Sequence, residues 1–589
     1  MTSDNFSAAS AARDYAADAR LALLALLAVP IGALGVVAAW LLLTLIRFFT
    51  NLFFFQTLSI APTSPADHHL GMAVVLVPVA GAVIVGLMAR FGSDKIRGHG
   101  IPEAIEAILF GKSLMSPKVA VLKPLSSGIV IGSGGPFGAE GPIIMTGGAI
   151  GSLLAQLLHL SASERKTLLV CGATAGMTAV FGTPVAAVLL AVELLLFELR
   201  PRSLLPVALA CATAGFLRSL ALEGGRLFPL HTEPAGLAAL GSCVVAGLLA
   251  ALLAAGLSRA LYAVEDGFHR LPVHWMWWPA LGAVAIGIGG WLQPRALGVG
   301  YDVIGDLLHG NLLIGAALAL LAAKAVMWVL ALGSGTSGGV LAPVLMMGAG
   351  LGTVLAPWLP GGSPGLWPLV CMAAVLAGVL GAPLTAAVFA FGLTGDGDAL
   401  LPLLLACAVS HGLTVLLMDR SIMTERLSRR GRHVYREYGV DPLERTPVEA
   451  VMTRNVQTIP ADAPLARVAH EWFGPAQRHR AFAVVDAQGV CLGLLDRDRL
   501  NDMNGDTRVA GDLLRGKAQD EAPFALPHYT CRALAQQMAA WGLERLPVVD
   551  DLKTRRLVGI VSRSDLVKVA QSVHDEEAVR ERMMGWGRS

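Results

Sequence analysis

Charge is scarce in this sequence: 15% of its 589 residues are Asp, Glu, Lys or Arg, where soluble globular domains carry about a quarter. The scarcity is uneven. Residues 21 to 420 run through long apolar stretches with few charges, whereas 421 to 589 alternate charged and apolar residues like a water-soluble domain. A net charge of +2 leaves no basic field for a polyanion and excludes nucleic acid as an expected partner. Paired cysteines are missing too. Cys171, Cys211, Cys243, Cys371, Cys407, Cys491 and Cys531 are scattered without CxxC spacing and read as buried thiols, neither disulfides nor metal ligands. The apolar region offers few carboxylates, chiefly Glu140 and Glu193. A carrier of hard cations such as magnesium needs several oxygen ligands and is therefore the weaker alternative. No nucleophile–base pair or metal-ligand cluster stands out, so neither an enzyme nor a required metal or cofactor is expected.

What is present is membrane-spanning sequence. A helix needs roughly 20 apolar residues to cross a bilayer, and the runs 21–46, 71–89, 203–221, 235–257, 312–332 and 400–418 qualify. Shorter runs, broken by Gly or Pro, lie at 101–110, 124–134, 141–158, 167–181, 184–197, 340–357, 365–380 and 384–393. Broken segments survive at membrane depth only where protein or a water-filled cavity satisfies their backbone. The first run follows a segment, 1–20, that contains Asp4, Asp14 and Asp18. It is too long for a signal-peptide core and reads as a retained helix. After Asp419 come Arg420, Arg426, Arg429, Arg430, Arg432 and Arg436. This basic linker, 421–447, places its end of the membrane region and the tail behind it in the cytoplasm.

The membrane region also matches itself. GSGGPFGAEGP at 132–142 meets GSGTSGGVLAP at 333–343, a shift of 201. The same shift pairs Lys123 with Lys324, Gly147 with Gly348, Gly151 with Gly352 and Ala155 with Ala356. GTP at 182–184 meets GAP at 381–383, and the Gly98-His99-Gly100 turn meets Gly298-Val299-Gly300. These last two shifts are 199 and 200, and chance similarity of glycine-rich segments does not keep a shift within two residues over so long a stretch. Two repeats, about 21–221 and 235–420, with breaks at corresponding places are the pattern of transport proteins whose site lies mid-membrane between the halves.

Three glycine-rich turns each open an apolar helix: GHGIP from Gly98, GAEGP from Gly138 and GGVLAP from Gly338. A helix start carries unpaired N–H groups and about half a positive charge. Glycine lets a ligand approach that backbone, and Pro102, Pro142 and Pro343 sit where a first-turn proline forfeits no hydrogen bond. Three such ends converging would hold an anion without a lysine or arginine to trap it. The pairs Gly147/Gly151 and Gly348/Gly352 read instead as close helix packing through small residues. Glu140 is an intramembrane acid in the first turn of one of these helices, which makes it a functional residue by default. Its carboxylate can occupy the place of an anion and so act as a gate; simple capping is the plainer alternative. His99 is either a buried imidazole with a partner or a donor beside the ion path that binds anions better when protonated. Lys123 and Lys324 read as side chains that snorkel to an interface, the commoner case, or add positive potential at a pore vestibule, and not as ligands.

The ordered trio GHGIP, GAEGP and GGVLAP resembles the signature set of the CLC chloride channels and chloride/proton exchangers, over residues 21 to about 430. The resemblance implies an all-α polytopic domain, a CLC-type inverted repeat of tilted, broken helices, working as a homodimer with one pore per subunit. It implies that Glu140 is the gate, that Val340 and Leu341 hold the central anion through their N–H groups, that Gly141 faces the outer site, and that His99, Gly100 and Met423 are the anion-binding positions at the inner exit. Departures from the family pattern are specific. His99 stands where serine is usual and Met423 where tyrosine is usual. Ala139 stands where arginine is common, and Leu194 where proton-coupled members carry a glutamate beside the acid matched by Glu193. Leu194 relays no proton, which favours channel-like conduction over the chloride/proton antiporter.

The tail repeats as well. HRAFAVVDAQGVCLGLLDRDRL (479–500) matches ERLPVVDDLKTRRLVGIVSRSDL (544–566), each an apolar strand, a turn, a second strand and a helix start, behind helical stretches at 465–473 and 532–541. The pair resembles tandem CBS domains, 448–502 and 509–571, an α/β module, with 572–589 beyond it. In that family an aspartate near the last helix holds the ribose of ATP or AMP. Asp565 matches it, whereas the first module has Arg499 there with Asp498 displaced by one. A purely structural pair is the alternative. The whole reads as a multi-pass protein of the cell membrane that carries chloride or a similar monovalent anion through the lipid bilayer.

Overall fold

A computed structural model describes residues 20–222, 224–434, 442–474, 477, 479–497, 508–515 and 524–569. They fall in two compact units, the first ending at 434 and the second starting at 442 among these residues.

The first unit is helical. Its first half comprises α1 (Arg20–Phe55), α2 (Leu76–Phe91), α3 (Ile101–Leu109), α4 (Pro117–Gly132), α5 (Glu140–Gln156), α6 (Ala162–Phe181), α7 (Pro184–Leu190) and α8 (Pro201–Ala221). Its second half repeats the order: α9 (Leu237–His269), α10 (Trp278–Leu292), α11 (Tyr301–Leu308), α12 (Ile314–Gly333), α13 (Leu341–Leu355), α14 (Leu366–Leu380), α15 (Pro383–Thr394) and α16 (Leu400–Leu417). A short α17 (Ile422–Arg429) follows. Corresponding helices find corresponding neighbours: α1 packs on α6 and α8 as α9 packs on α14 and α16, and α5 lies on α6 as α13 lies on α14. α5 and α13 direct their N-termini at one another, so the halves form an inverted repeat.

Backbone bonds between the halves are reciprocal. Gly98 N–H donates to the Thr336 carbonyl and Gly298 N–H to the Gly134 carbonyl, each at 3.1 Å. Exchange of this kind is what a two-fold relation produces. The two matched lysines sit behind these turns, and the snorkelling expectation for them fails. Both are fully buried. Lys123 Nζ donates to the carbonyls of Ile96 and Gly98 (both 2.8 Å) and to Ser337 Oγ (3.0 Å); Lys324 Nζ donates to the carbonyls of Ala296 (3.0 Å) and Gly298 (2.7 Å). A buried ammonium persists because the turn's outward carbonyls, left over where the chain bends, surround it.

Among the described residues seven helices are long and apolar enough to cross a membrane. Two outrun their apolar stretches. The first run, expected to end at 46, continues to Phe55, and the run expected to end at 257 continues to His269. Hydropathy falls where a helix reaches water, but its backbone bonds carry on. Arg259 at that end donates to the Leu417 carbonyl (2.8 Å), and Asp266 pairs with Arg429. A third span, Leu341–Trp358, is continuous where the sequence reads as a broken one.

The glycine pairs do form close seams. A Cβ at Gly147 would lie 2.2 Å from the Gly172 carbonyl oxygen, and one at Gly151 2.2 Å from that of Leu168. At Gly352 it would meet the Trp367 carbonyl oxygen at the same 2.2 Å.

The second unit carries strands β1 (Thr458–Pro460), β2 (Ala481–Val485) and β3 (Cys491–Asp496) in one sheet and β4 (Arg545–Val549) with β5 (Leu557–Ser562) in another. β1 runs parallel to β2, while β2–β3 and β4–β5 are antiparallel. The register slips between Val484 and Val485 and again between Val548 and Val549, so the two modules share even their bulge. Helices Leu465–Glu471 and Cys531–Trp541 pack on the sheets.

One prediction tests the seams. Gly151→Val should destabilise the detergent-solubilised protein by about 2 kcal/mol or more through overpacking, read as a lowered melting temperature. Gly256→Ala, in α9 with nothing near its missing Cβ, should leave the melting temperature unchanged or raise it.

Candidate functional site

Three helix starts meet. α3 opens from Gly98-His99-Gly100, α5 from the turn Gly138-Ala139, and α13 from Gly338-Gly339-Val340. A Cβ at Gly141 would lie 1.7 Å from the His99 carbonyl oxygen, and one at Gly100 2.7 Å from the Gly141 carbonyl oxygen, so the first two turns touch through backbone. Gly100 has φ 91°, which glycine adopts without strain. The second and third turns are bonded directly, Gly339 N–H to the Gly138 carbonyl at 3.1 Å.

Glu140 sits at the centre and is completely buried. It starts α5, yet its side chain serves the other half: Ala342 N–H, in the first turn of α13, donates to Glu140 Oε1. Its Oε2 has no partner. The carboxylate lies over Gly138 and Gly339, where any Cβ would strike it within 2.3 Å. Thus a carboxyl oxygen occupies the N-terminus of α13. Val340, the N-cap, and Leu341, the first helical residue, are both buried there. Ala342 was missed from sequence because the motif marks where the helix begins, not which amide a side chain from the other half reaches.

His99 is buried, with Nδ1 unpartnered. Gly100 N–H donates to Glu103 Oε2 (3.0 Å), so the first turn of α3 is capped by its own third residue. Met423 is fully buried in α17, which packs on α3; Tyr262 Oη fixes the start of α17 by donating to the Ile422 carbonyl (2.6 Å).

Glu193 and Leu194 lie in a π-helical segment, Ala191–Leu196, that continues α7. Leu194 is fully buried. The Glu193 carboxylate caps a helix of the other half: Thr385 N–H (2.7 Å), Thr385 Oγ (2.6 Å) and Leu384 N–H (3.3 Å) all donate to it, at the first turn of α15. The sequence marks it as an acid beside a proton route but shows nothing of this cap.

In the tail, Asp565 is buried in the first turn of the helix that follows β5. It accepts from Ser562 N–H (2.8 Å) and Ser562 Oγ (2.6 Å) and pairs with Lys568 (2.5 Å). Burial pushes its pKa up, but the Lys568 ammonium and the two Ser562 donors outweigh that and hold the carboxyl below its ordinary value. Arg499 and Asp498 lie outside the described residues.

Broken helices in an inverted repeat, their starts gathered about one buried carboxylate, define a polytopic membrane protein of the transporter type. Residues 80–414 match the family model described as voltage gated chloride channel, and residues 448–502 and 514–572 match the CBS domain. A Ralstonia nicotianae protein named putative chloride channel protein ClcB-like is 30% identical over 354 residues, 58% of this chain and 82% of that one. A Klebsiella pneumoniae protein named H(+)/Cl(-) exchange transporter ClcA is 28% identical over 62% of this chain and 80% of its own length. The solved structure of a eukaryotic CLC transporter superposes with a TM-score of 0.61 at 18% identity, over 92% of this chain and 98% of that one. The chain belongs to the voltage-gated chloride channel (CLC) family, with two CBS domains behind the membrane region.

The Asp565 contacts give a prediction. Asp565→Ala should weaken the helix over 563–569 by about 1 kcal/mol, the usual cost of a lost cap, seen as faster amide exchange there. Because the folded pKa is depressed, this stabilisation is complete above the ordinary aspartate value near 4 and lost as pH falls through the lower folded value.

Proposed function

We propose that this protein carries small monovalent anions, chloride foremost, across the cell membrane, with Glu140 as the gate. The observation that carries the reading is the Glu140 carboxylate seated on the N-terminus of α13 with one oxygen unpartnered. A tethered anion held there by a backbone amide and the helix dipole can be displaced by a free anion of similar size. Val340 and Leu341 are the amides that such an ion meets next, with Gly100, Gly141 and His99 around it. The working form is a homodimer with the tail in the cytoplasm.

Within that function the arrangement favours channel-like conduction. Leu194 offers no titratable group, Glu193 is engaged by three donors at α15, and Met423 puts a thioether where a closing hydroxyl is usual in the family. The relatives include proteins named as channels and as exchangers, so the distinction rests on these residues. For the CBS pair we infer an architectural role. The Asp565 oxygens already accept from Ser562 and Lys568, contacts that support a structural use of this carboxylate.

Two measurements test the proposal. In liposomes, wild-type chloride flux should rise as external pH falls, because protonation releases the carboxylate, and Glu140→Gln should make flux nearly independent of external pH. A mutant that keeps the wild-type profile removes Glu140 from the gate. Second, a chloride gradient should drive little uphill proton movement, and the reversal potential should lie near that of chloride. Reproducible proton uptake abolished by Glu140→Gln or Glu193→Gln would establish the antiporter instead.

A further inference from the structure

The inner turn, Gly98-His99-Gly100, has a charged wall that the signature motifs do not contain. Arg426, one turn after Met423 in α17, lays its guanidinium against Gly98: a Cβ there would lie 1.8 Å from Arg426 Nη1. The same Nη1 is 3.0 Å from Glu103 Oε1, and Glu103 Oε2 caps Gly100. Both side chains are largely out of solvent, 16% exposed for Arg426 and 9% for Glu103. Other charges lie near the pair, Arg97 and Glu265 among them. Arg430 and Arg432 bind Glu106, with Arg430 only 4.0 Å from Glu103, and the Lys123 ammonium is held by the Gly98 carbonyl.

Resting on the anion-transport reading, we propose that Arg426 is a positioning residue that neutralises Glu103, and that this balanced pair sets how strongly the inner turn attracts an anion. Glu103 is needed where it is, because the N-terminus of α3 must be capped inside the membrane and Gly100 has no side chain to do it. Left alone, that carboxylate would set a negative charge beside the backbone that must receive an anion, in a medium that screens it poorly. Arg426 cancels it. The guanidinium in turn cannot hold the anion tightly, because Glu103 shares its field.

The two members of the pair should therefore act in opposite directions, which a merely structural ion pair would not do. Purified full-length protein in planar bilayers gives the half-saturating chloride concentration from each face separately. Arg426→Gln should raise it at least tenfold from the face on which α17 lies, with little change from the other. Glu103→Gln should lower it by a similar factor at that face and slow the maximal rate, since a bare cation retains the ion. The double variant Glu103→Gln/Arg426→Gln should return it to within about threefold of wild type.

Melting curves of the same preparations separate folding from conduction. Should Arg426→Gln not fold, Glu103→Gln against the double variant decides alone: tighter chloride binding in the single variant supports the inference, and equal binding overturns it. Shifts in the same direction for both single variants, or equal shifts at both faces, overturn it too. A wild type that carries no chloride sinks the transport reading and this inference with it, whereas wild-type flux unaltered in both single variants sinks this inference alone.

Discussion

A helix that opens inside a membrane has N–H groups and no water to meet them. In this fold carboxylates meet them. Glu103 turns back on Gly100 at α3, Glu193 reaches the first turn of α15, and Glu140 reaches that of α13. The last two belong to the first half and serve helices of the second, so the demand of a bare helix end also fastens the repeats together. The three carboxylates are not held alike. Glu193 has three donors, Glu103 has one amide and an ion pair with Arg426, and Glu140 has one amide. The proposed gate, Glu140, is thus held less firmly than Glu193.

The opposite pole of each turn needs an equal answer. A chain that bends sharply inside a membrane leaves carbonyls as well as amides without partners. Lys123 and Lys324 fill that need from one position in each repeat. Removing either ammonium would take a donor from two carbonyls at once. Ser337 adds a third partner to Lys123, whereas its match in the first repeat is Pro136, which has no hydroxyl to offer Lys324.

Much of this was legible in the sequence, for physical reasons. A nearly constant shift between glycine-rich turns betrays the repeat, because glycine adopts the positive φ of Gly100 and Gly300 without strain and leaves room for the backbone contact at Gly141. Glu140 is conspicuous because an acid in an apolar run is costly. Side-chain destinations were not legible. Lys123 reads as a snorkelling residue since sequence shows its helix but not the carbonyls behind it. Glu193 reads as an acid near a proton route, though the amides that claim it come from residues almost two hundred positions later. Arg426 reads only as one of a basic run that fixes orientation. Its contact with Gly98 joins segments that no local pattern connects.

The departures from the family motif belong together. An inner turn flanked by His99 and Met423 lacks the two neutral hydroxyls usual there, and a neutral donor has a virtue that a charge does not: it attracts an anion without trapping it. A lone arginine could supply attraction in their stead only by holding the ion too long. An arginine paired with a carboxylate is a different object. Its net charge is near zero, so it sets a weaker field beside the turn than either charge would alone. Arg426 with Glu103 is such an object, placed against Gly98 by α17 and fixed there because Glu103 must cap Gly100. A single carboxylate thus both caps α3 and holds the Arg426 guanidinium against Gly98.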